Sequence, residues 1–318
     1  MKILFILDPL SSLKTYKDTS IAIMREANSR GHELYVSMQH DLFLRDDVAK
    51  INAKKFSFTS KNSTDYSFTV EDPVEYTPAA FDAVIMRKDP PFDNEYLYST
   101  YLLEIAVNQG AHVFNNPVAI RGWNEKLSVT RFPQFAPEFL VTANNDLIRE
   151  FLNTHEDIVV KPLDGMGGSS IFRLGLKDPN ISVILETITN FGSRTIMAQR
   201  YLPAILQGDK RIIVIDGVPV PYALARIPKA GETRGNLAAG GTGVAQLLSV
   251  RDLEIATTVG KVLKEEGLFL VGLDVIGEHL TEINVTSPTG MVEIAKQTSK
   301  LAQPCNPASI LMNALGNK

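Results

Sequence analysis

The segment 272–285 carries three side chains whose oxygen atoms could bind a metal ion. Gly277-Glu278-His279 is a turn signal between two apolar runs, which predicts a β-hairpin. Side chains alternate across a strand, so Glu282 and Asn284 should share one face. A three-residue turn would place Asp274 opposite Glu282, where two carboxylates repel each other unless a cation lies between them. This oxygen set suits Mg²⁺, which usually accompanies phosphates, although a solvated edge hairpin is the alternative because sequence alone does not set the register.

A loop rich in glycine and hydroxyl groups, residues 164–170, lies between predicted strands at 157–161 and 171–174. Its backbone N–H groups could bind anionic oxygens. It is neither a Walker A loop nor a Rossmann fingerprint, because no Gly-Lys-Ser/Thr ends it and a strand follows it. A phosphate-covering flap and a plain hairpin turn both fit. Lys161 favours the flap, since a lysine at a buried strand end needs an anionic partner, and Lys126 is a second candidate for the phosphates.

Four arginines, Arg87, Arg211, Arg226 and Arg234, lie near predicted loop ends. A guanidinium binds carboxylate or phosphate with two parallel hydrogen bonds, so the set indicates a doubly anionic substrate and a transferring phosphoryl group. Surface solubility is the alternative for any one of them. The glycine-rich segment 227–243 is typical of a lid that keeps water from a hydrolysable intermediate.

The sequence contains no evident Ser/His/Asp or Cys/His nucleophile arrangement, since its five histidines are scattered and Cys305 has no neighbouring base. Catalysis is therefore expected to depend on positioning, Mg²⁺ and arginine charge.

The first third of the chain alternates strands and helices, which predicts a doubly wound parallel sheet with a crevice at the carboxyl ends of its strands. The predicted strands are 3–7, 33–38, 83–86 and 112–114, and the predicted helices are 18–30, capped at Asp18, and 94–110. Residues 54–77 are predicted to be loop-rich.

Later segments predict a different arrangement of elements. Strands 211–215 and 220–226 flank a hairpin turn at Asp216-Gly217, and a helix at 252–267 precedes the hairpin of the possible metal ligands. Residues 199–203 are interpreted as a linker strand whose backbone could pair with an adenine edge.

Composition limits the classes of partner. The chain has 318 residues, a net charge of −4 and 21% charged residues, so there is no electrostatic case for nucleic acid or an anionic membrane. One cysteine excludes an intramolecular disulfide and a cysteine-cluster zinc site. The first apolar run ends at Asp8, too early for a signal peptide, and no run approaches the ~20 residues of a membrane span. These features predict a cytoplasmic protein.

The string VKPLDGMGG at 160–168, the glycine-rich lid and Asp274 with Glu282-x-Asn284 resemble the ATP-grasp superfamily. More closely, MRKDPPFD at 86–93, ETRGNLAAGG at 232–241 and TEINVTSP at 281–288 resemble the prokaryotic glutathione synthetase family. The resemblance covers almost the whole chain and is weaker near 54–77 and after Thr289.

The resemblance implies a mixed α/β fold, α+β in part, with a doubly wound parallel-sheet domain followed by a two-lobed ATP-grasp fold. The implied domains are 1–122, 123–202 with the phosphate loop, and 203–318 with the metal site. The implied activity is ATP-dependent ligation of γ-L-glutamyl-L-cysteine to glycine through an acyl phosphate, releasing ADP and phosphate. The implied partners are these small molecules and further copies of the chain in a homotetramer.

The resemblance also implies roles for individual residues. The nucleotide residues would be Lys126, Lys161, Gly165, Met166, Gly167, Gly168, Gln199, Arg200, Tyr201, Leu202 and Asp209. Asp274, Glu282 and Asn284 would hold Mg²⁺ or Mn²⁺, and Arg211, Arg226 and Arg234 would be catalytic. The dipeptide and glycine would be bound by Asp18, Arg87, Arg226, Arg234, Gly240, Gly241, Ser287 and Pro288.

Two alternatives remain from the sequence. Another ATP-grasp ligase, of the D-alanine–D-alanine or glutamate ligase type, is disfavoured by the Arg87 motif and the lid string. A non-catalytic nucleotide-binding regulator is disfavoured by the complete set of Asp274, Glu282 and Asn284.

Overall fold

Three β-sheets succeed one another along the chain, in a computed structural model that describes residues 1–60, 67–165, 167–232, 235 and 240–318. The first sheet contains β1 (Lys2–Leu7), β2 (Glu33–Met38), β3 (Leu42–Arg45), β4 (Val48–Phe58), β5 (Phe68–Val70), β6 (Val74–Tyr76), β7 (Ala83–Met86) and β8 (Val113–Phe114). Its main path runs β3-β4-β2-β1-β7-β8, and β5 and β6 pair with β4.

The parallel part of this sheet confirms the doubly wound prediction. Strands β2, β1, β7 and β8 are parallel, and the helices α1 (Thr19–Ser29) and α2 (Asn94–Asn108) follow β1 and β7 in the chain. Alternate residues of β1 belong to different cores: Leu4 and Ile6 pack in the cluster that contains α2, and Ile3 and Phe5 in the cluster that contains α1. The sheet is thus covered on both faces, as a parallel sheet requires.

The prediction of a loop-rich stretch at 54–77 was wrong for most of the described residues. Strands β4, β5 and β6 form an antiparallel ribbon beside β2, and residues 61–66 lie outside the described residues. The alternating burial that marks β4 lies mainly at Ala49, Ile51 and Ala53, before this stretch, and only Phe56 of the part within it is buried. Alternation marks a half-buried strand, whatever the overall polarity of the segment.

The second sheet is four-stranded and antiparallel, in the order β11-β10-β12-β9. Its members are β9 (Phe139–Thr142), β10 (Asp157–Pro162), β11 (Phe172–Gly175) and β12 (Ile196–Arg200), with the helices α4 (Asn145–His155) and α5 (Ile181–Ile188) on one face. Of residues 199–203, interpreted as a linker strand, Gln199 and Arg200 belong to β12, which pairs with both β10 and β9, and residues 201–203 follow that strand and lead toward the third sheet. We call residues 139–200 the central lobe.

The third sheet is five-stranded and antiparallel, in the order β15-β14-β13-β16-β17. Its members are β13 (Asp209–Ile215), β14 (Val218–Ile227), β15 (Thr242–Leu247), β16 (Leu270–Ile276) and β17 (His279–Asn284). The remaining helices are α3 (Pro117–Gly122), α6 (Val250–Glu265), α7 (Met291–Thr298) and α8 (Pro307–Leu315). No helix among the described residues is long and apolar enough to cross a membrane.

The first and third sheets share their cores, whereas the central lobe has a separate one. Two apolar clusters each contain residues from both of those sheets. A third cluster contains only central-lobe residues, among them Leu152 and Ile158, while Met197 on the opposite face joins the first cluster. Buried Asn115 links the first and third sheets, since it bonds the N–H and carbonyl of Leu270 and the carbonyl of Val285 at 2.7–2.9 Å.

Two leucines on α4 provide a test of the central-lobe core. Leu152→Ala should lower the free energy of unfolding of this lobe by about 2–5 kcal/mol, because it leaves a cavity in the third cluster. Leu147→Ala on the exposed side of the same helix should change it by no more than about 0.5 kcal/mol. Urea denaturation followed by circular dichroism measures both, and equal effects would contradict this packing.

Candidate active site

A cavity of about 350 Å³ lies where the three sheets meet. Most residues predicted for the site line it: Lys126, Lys161, Gly165, Gly167, Gly168, Gln199, Arg200, Tyr201, Leu202, Asp209, Arg211, Arg226, Asp274, Glu282, Asn284, Ser287 and Pro288. Asp18, Arg87, Gly240 and Gly241 do not line it directly. Met166 and Arg234 lie outside the described residues.

The hairpin of β16 and β17 places Asp274 opposite Glu282, as the sequence predicted, by a different route. The turn has two residues, Gly277 and Glu278, rather than three, and a bulge at Thr281 restores the pairing. A bulge adds one residue to one strand, so it shifts the register by the amount that the shorter turn removes. Both routes leave the two carboxylates facing each other.

Asp274 is buried between two arginines. Its carboxylate accepts hydrogen bonds from Arg211 at 2.6 and 3.2 Å and forms an ion pair with Arg226 at 2.8 Å. Burial alone would raise the pKa of Asp274, but the two guanidinium groups outweigh it and hold that pKa well below its usual range. The aspartate therefore stays charged, and the arginines present N–H groups at the cavity wall.

Glu282 and Asn284 keep oxygen atoms available beside Asp274. Lys126 binds Oε1 of Glu282 at 3.0 Å, which leaves Oε2, and the Asn284 amide donates to the Gly272 carbonyl, which leaves its side-chain oxygen. The possible metal ligands are thus two carboxylates, Asp274 and Glu282, and one amide, Asn284. Among the described residues there is no group of three or more His, Cys, Asp and Glu side chains that could hold a metal. Three hard oxygen donors on one hairpin face fit a divalent cation of the Mg²⁺ type.

Two lysines extend into the same part of the cavity from different segments. Lys126, at the start of a short 3₁₀ segment, donates to the carbonyl of Gly165 at 2.6 Å as well as to Glu282. Burial lowers the pKa of Lys126, but the charge of Glu282 more than offsets this, and the net shift is upward. Lys161 on β10 donates to the Thr281 carbonyl at 3.1 Å, and burial lowers its pKa to about 8. Lys161 therefore lacks a full counter-charge, which a phosphate would provide.

The loop between β10 and β11 is a long hairpin loop that lines the cavity. Gly167 and Gly168 have φ angles of +65° and +81°, a backbone region that glycine adopts without steric cost. Gly165 accepts the Lys126 bond, so the loop is tied to the residues on the opposite wall. This arrangement fits a phosphate-covering flap better than a free hairpin turn.

The segment predicted to bind adenine lies at the end of β12. The Arg200 and Tyr201 N–H groups donate to the Glu138 and Asp157 carbonyls, whereas the Leu202 N–H has no hydrogen bond within the described residues. Buried Gln199 also has an unpartnered Nε2. A purine edge could satisfy these two donors, while the Arg200 side chain is already paired with Glu138 at the surface.

Asp209, the residue predicted to bind the ribose, is a part-buried carboxylate that is already paired with an arginine. It lies opposite Arg226 on β14, and its Oδ2 forms an ion pair with that guanidinium. Its Oδ1 is buried and accepts no hydrogen bond from the residues that the structure describes. Burial raises the pKa of Asp209, and the neighbouring charge of Asp274 adds to this. A donor hydroxyl at Oδ1 would relieve the unsatisfied acceptor.

The predicted substrate residues of the first sheet form one cluster at the cavity edge. Arg87 is buried and donates to Ser20 and to the Pro288 carbonyl at 3.0 Å each, and its Nη1 has no partner in the described part of the chain. Ser287 donates to Asp89. Asp18 accepts from the Ile21 N–H at 2.9 Å and so caps α1. The segment after β17 thus reaches the Arg87 loop, although Arg87 itself sits behind the wall.

Several residues that line the cavity had no role in the sequence analysis, and the acidic one among those next to the predicted lysines is Glu125. Glu125, between Asn124 and Lys126, lines the cavity and contacts the segment that follows β17. In the sequence, only its position next to Lys126 indicated that Glu125 would lie in the site. Cys305 is buried away from the cavity, and burial raises its pKa to about 11, which agrees with a structural thiol.

Comparisons with known proteins identify the family. The family model of the prokaryotic glutathione synthetase N-terminal domain matches residues 1–121, and that of the ATP-grasp domain of the same enzyme matches residues 125–299. The glutathione synthetase of Nitrosomonas europaea is 58% identical over 316 residues, covering 99% of this chain and 97% of the relative. That of Neisseria meningitidis serogroup B is 56% identical, covering 93% and 94%.

Solved structures agree on the fold. D-cycloserine synthetase DcsG superposes with a TM-score of 0.66 at 13% identity over 99% of both chains. The ATP-grasp ligase PsnB, complexed with minimal precursor, Mg and ADP, superposes with a TM-score of 0.60 at 17% identity, covering 99% of this chain and 98% of that one. At such identities the likeness concerns the ATP-grasp fold alone. From the two family models and the close relatives, the chain belongs to the prokaryotic glutathione synthetase family.

Proposed function

We propose that the cavity between the three sheets is where this ATP-dependent carbon–nitrogen ligase joins γ-L-glutamyl-L-cysteine to glycine. One observation carries the assignment of the site. The two lysines, the glycine-rich loop and the Arg211–Asp274–Arg226 array converge on one cavity from separate parts of the chain. The family assignment disfavours the sister ligases, whose structural likeness concerns fold alone. The domains are 1–122, 123–202 and 203–318.

The nucleotide lies between the central lobe and the third sheet. Lys126, Lys161 and the loop 165–168 hold the phosphates, because these cations and N–H groups are the positive part of the wall. Residues 199–202 hold the adenine, supported by the free donors of Gln199 and Leu202. The ribose hydroxyls bond Asp209 at Oδ1.

Asp274, Glu282 and Asn284 hold the divalent cation, and this set of oxygen donors suits Mg²⁺ or Mn²⁺. The cation, when bound, neutralises phosphate charge. Asp274 can accept it beside Arg211 and Arg226, because a carboxylate offers about four lone-pair sites and three hydrogen bonds or ion-pair contacts are present.

The reaction transfers the γ-phosphoryl group of ATP to the cysteinyl carboxylate, giving ADP and an acyl phosphate. The glycine nitrogen, as the free amine, then attacks the acyl carbon, the bond to phosphate breaks, and the phosphate takes the proton that the nitrogen loses as the amide of glutathione forms. Arg211 and Arg226 are fixed by Asp274 before substrate binds, so their N–H groups need not reorganise as charge develops on the phosphoryl oxygens. Arg234 supplies a further positive charge.

The substrate ends are bound at the edge nearest the first sheet. Ser287 and Pro288 contact the substrate there, and Arg87 behind them supplies positive charge for a substrate carboxylate, with the Asp18 end of α1 close by. Gly240 and Gly241 cover the site as part of the lid, which excludes water from the acyl phosphate. The enzyme is cytoplasmic and homotetrameric, and light scattering on the purified protein tests the second statement.

The direct test of function measures phosphate release from the purified protein with Mg-ATP, γ-glutamylcysteine and glycine, each omitted in turn. Release should require all three, with glutathione formed in equal amount. Nucleotide binding without release under any combination would support a regulator, and release only with other amino acids would support a sister ligase.

A neutral substitution at Glu282 tests the cation site. Glu282→Gln should leave the fold intact but reduce Mg-nucleotide affinity and slow turnover by at least about tenfold, because one charged oxygen ligand is lost. Glu278→Gln in the exposed turn of the same hairpin is the matched control. Turnover and Mg²⁺ dependence equal to those of the control would exclude Glu282 as a ligand.

Lys161 should make nucleotide affinity depend on pH. Its pKa is lowered to about 8 in the free site, and bound phosphates would raise it. Above about pH 8, Lys161 therefore takes up a proton when the nucleotide binds. The affinity for nucleotide should fall as the pH rises further. Calorimetry in two buffers of different ionisation enthalpy measures the uptake. Lys161→Arg, which stays charged, should show no such dependence, whereas equal proton uptake in both proteins would assign it to another group.

A further inference from the structure

Glu125 is fixed at the cavity wall by one of its two carboxylate oxygens. Oε1 accepts three hydrogen bonds, from the N–H groups of Val285 and Thr286 at 3.0 and 3.2 Å and from the Thr286 hydroxyl at 2.9 Å. The backbone carbonyl of Glu125 accepts from the Ile283 N–H at 2.8 Å. The side chain is therefore held in one orientation by the segment that carries Asn284 and leads to Ser287.

The other oxygen, Oε2, is accessible to solvent and to a ligand. It accepts no hydrogen bond from the residues that the structure describes, and it is not among their buried unpartnered atoms. Glu125 is one of the residues that line the cavity, so a ligand there lies within reach of its side chain. A carboxylate oxygen in this state is a strong acceptor for a positively charged N–H group.

Glu125 is the one part-buried carboxylate of the cavity that has no ion pair with a residue the structure describes. Asp209, Asp274 and Glu282 are each paired with an arginine or lysine. Asp89 also has no ion pair, but it is exposed and water can solvate its charge. Lys126, the neighbouring residue whose charge acts on Glu125, is already bonded to Gly165 and Glu282.

Burial raises the pKa of Glu125, and the charge of Glu282 raises it further, whereas the Thr286 hydrogen bonds and Lys126 oppose this. The free site therefore carries a part-buried carboxylate whose charge is only partly compensated. A cationic ligand group would supply the missing compensation.

We propose that Oε2 of Glu125 binds the ammonium group of the acceptor amino acid, which is glycine if the proposed function is correct. The donor γ-glutamylcysteine and the acceptor glycine each bring an ammonium group into the cavity. Glu125 adjoins Lys126 and interacts with Glu282, which belong to the phosphoryl-transfer end, so it lies on the acceptor side. The acceptor nitrogen must reach the acyl carbon formed at that end, whereas the α-ammonium of the donor is remote from it.

Glu125→Gln tests the role of Oε2 while it preserves the hydrogen bonds made by Oε1. The amide oxygen can still accept from Val285 and Thr286, while the NH₂ group replaces Oε2 and cannot bind an ammonium group. With Mg-ATP and γ-glutamylcysteine, the KM for glycine should rise by about tenfold or more. The KM for γ-glutamylcysteine should be unchanged.

Hydroxylamine provides a second acceptor that carries no ammonium charge at neutral pH. Glu125→Gln should form the hydroxamate at the wild-type rate, so the ratio of glycine ligation to hydroxamate formation falls even if part of the preparation is unfolded. Glu125→Asp, which keeps the charge, should recover part of the glycine affinity. Glu254→Gln, on the exposed face of α6, is the control and should match wild type.

An unchanged ratio in Glu125→Gln would overturn the proposal, as would a raised KM for γ-glutamylcysteine with an unchanged KM for glycine. An equally low ratio in Glu125→Asp and Glu125→Gln would indicate a role in shape rather than charge and would also overturn it. Failure of the proposed function is distinguishable, because the wild-type protein would then form neither glutathione nor hydroxamate.

Discussion

A buried carboxylate between two guanidinium groups is the interaction on which the reaction end of the cavity depends. Charges are expensive to remove from water, so Asp274, Arg211 and Arg226 can be buried only together. They can meet because they lie on three adjacent strands, β16, β13 and β14, whose spacing is about 4.8 Å. The ladder register continues to Glu282 on β17, opposite Asp274. The backbone hydrogen bonds of one sheet thus fix the positions of charges that would otherwise repel or become solvated.

That array also needs space, which Gly272 provides. A Cβ atom there would lie 2.8 Å from Cδ of Arg211 and 2.9 Å from Cβ of Pro288, both too close for a stable contact. The missing side chain lets the arginine cross the sheet surface and lets the segment after β17 pass beside it. That segment then receives the Arg87 hydrogen bond, so the first sheet contacts the third at the cavity edge.

Sequence patterns predicted the parts of this protein that follow from local rules. Period-two alternation placed Glu282 with Asn284, and the cap at Asp18 placed α1, because both depend on a few neighbouring residues. The three-residue turn was wrong because a bulge is a non-local compensation between turn and strand. The ion pairs of Asp209 and the buried position of Arg87 were not predictable, since they depend on which strands become neighbours. Glu125 was missed because a single acidic residue carries no periodic signal. The roles of the site residues and the three domain limits remain predictions.

The separation of the apolar cores has a consequence for how members of this family can diverge. A substitution inside the central-lobe cluster, for instance at Leu152 or Ile158, changes packing only among residues of that cluster, so a second change in the lobe can compensate it. The first and third sheets share their clusters and are joined through Asn115, so a change in one restricts the other. In an alignment of relatives, correlated substitutions should therefore form two groups, one within 139–200 and one that joins the beginning of the chain to its end.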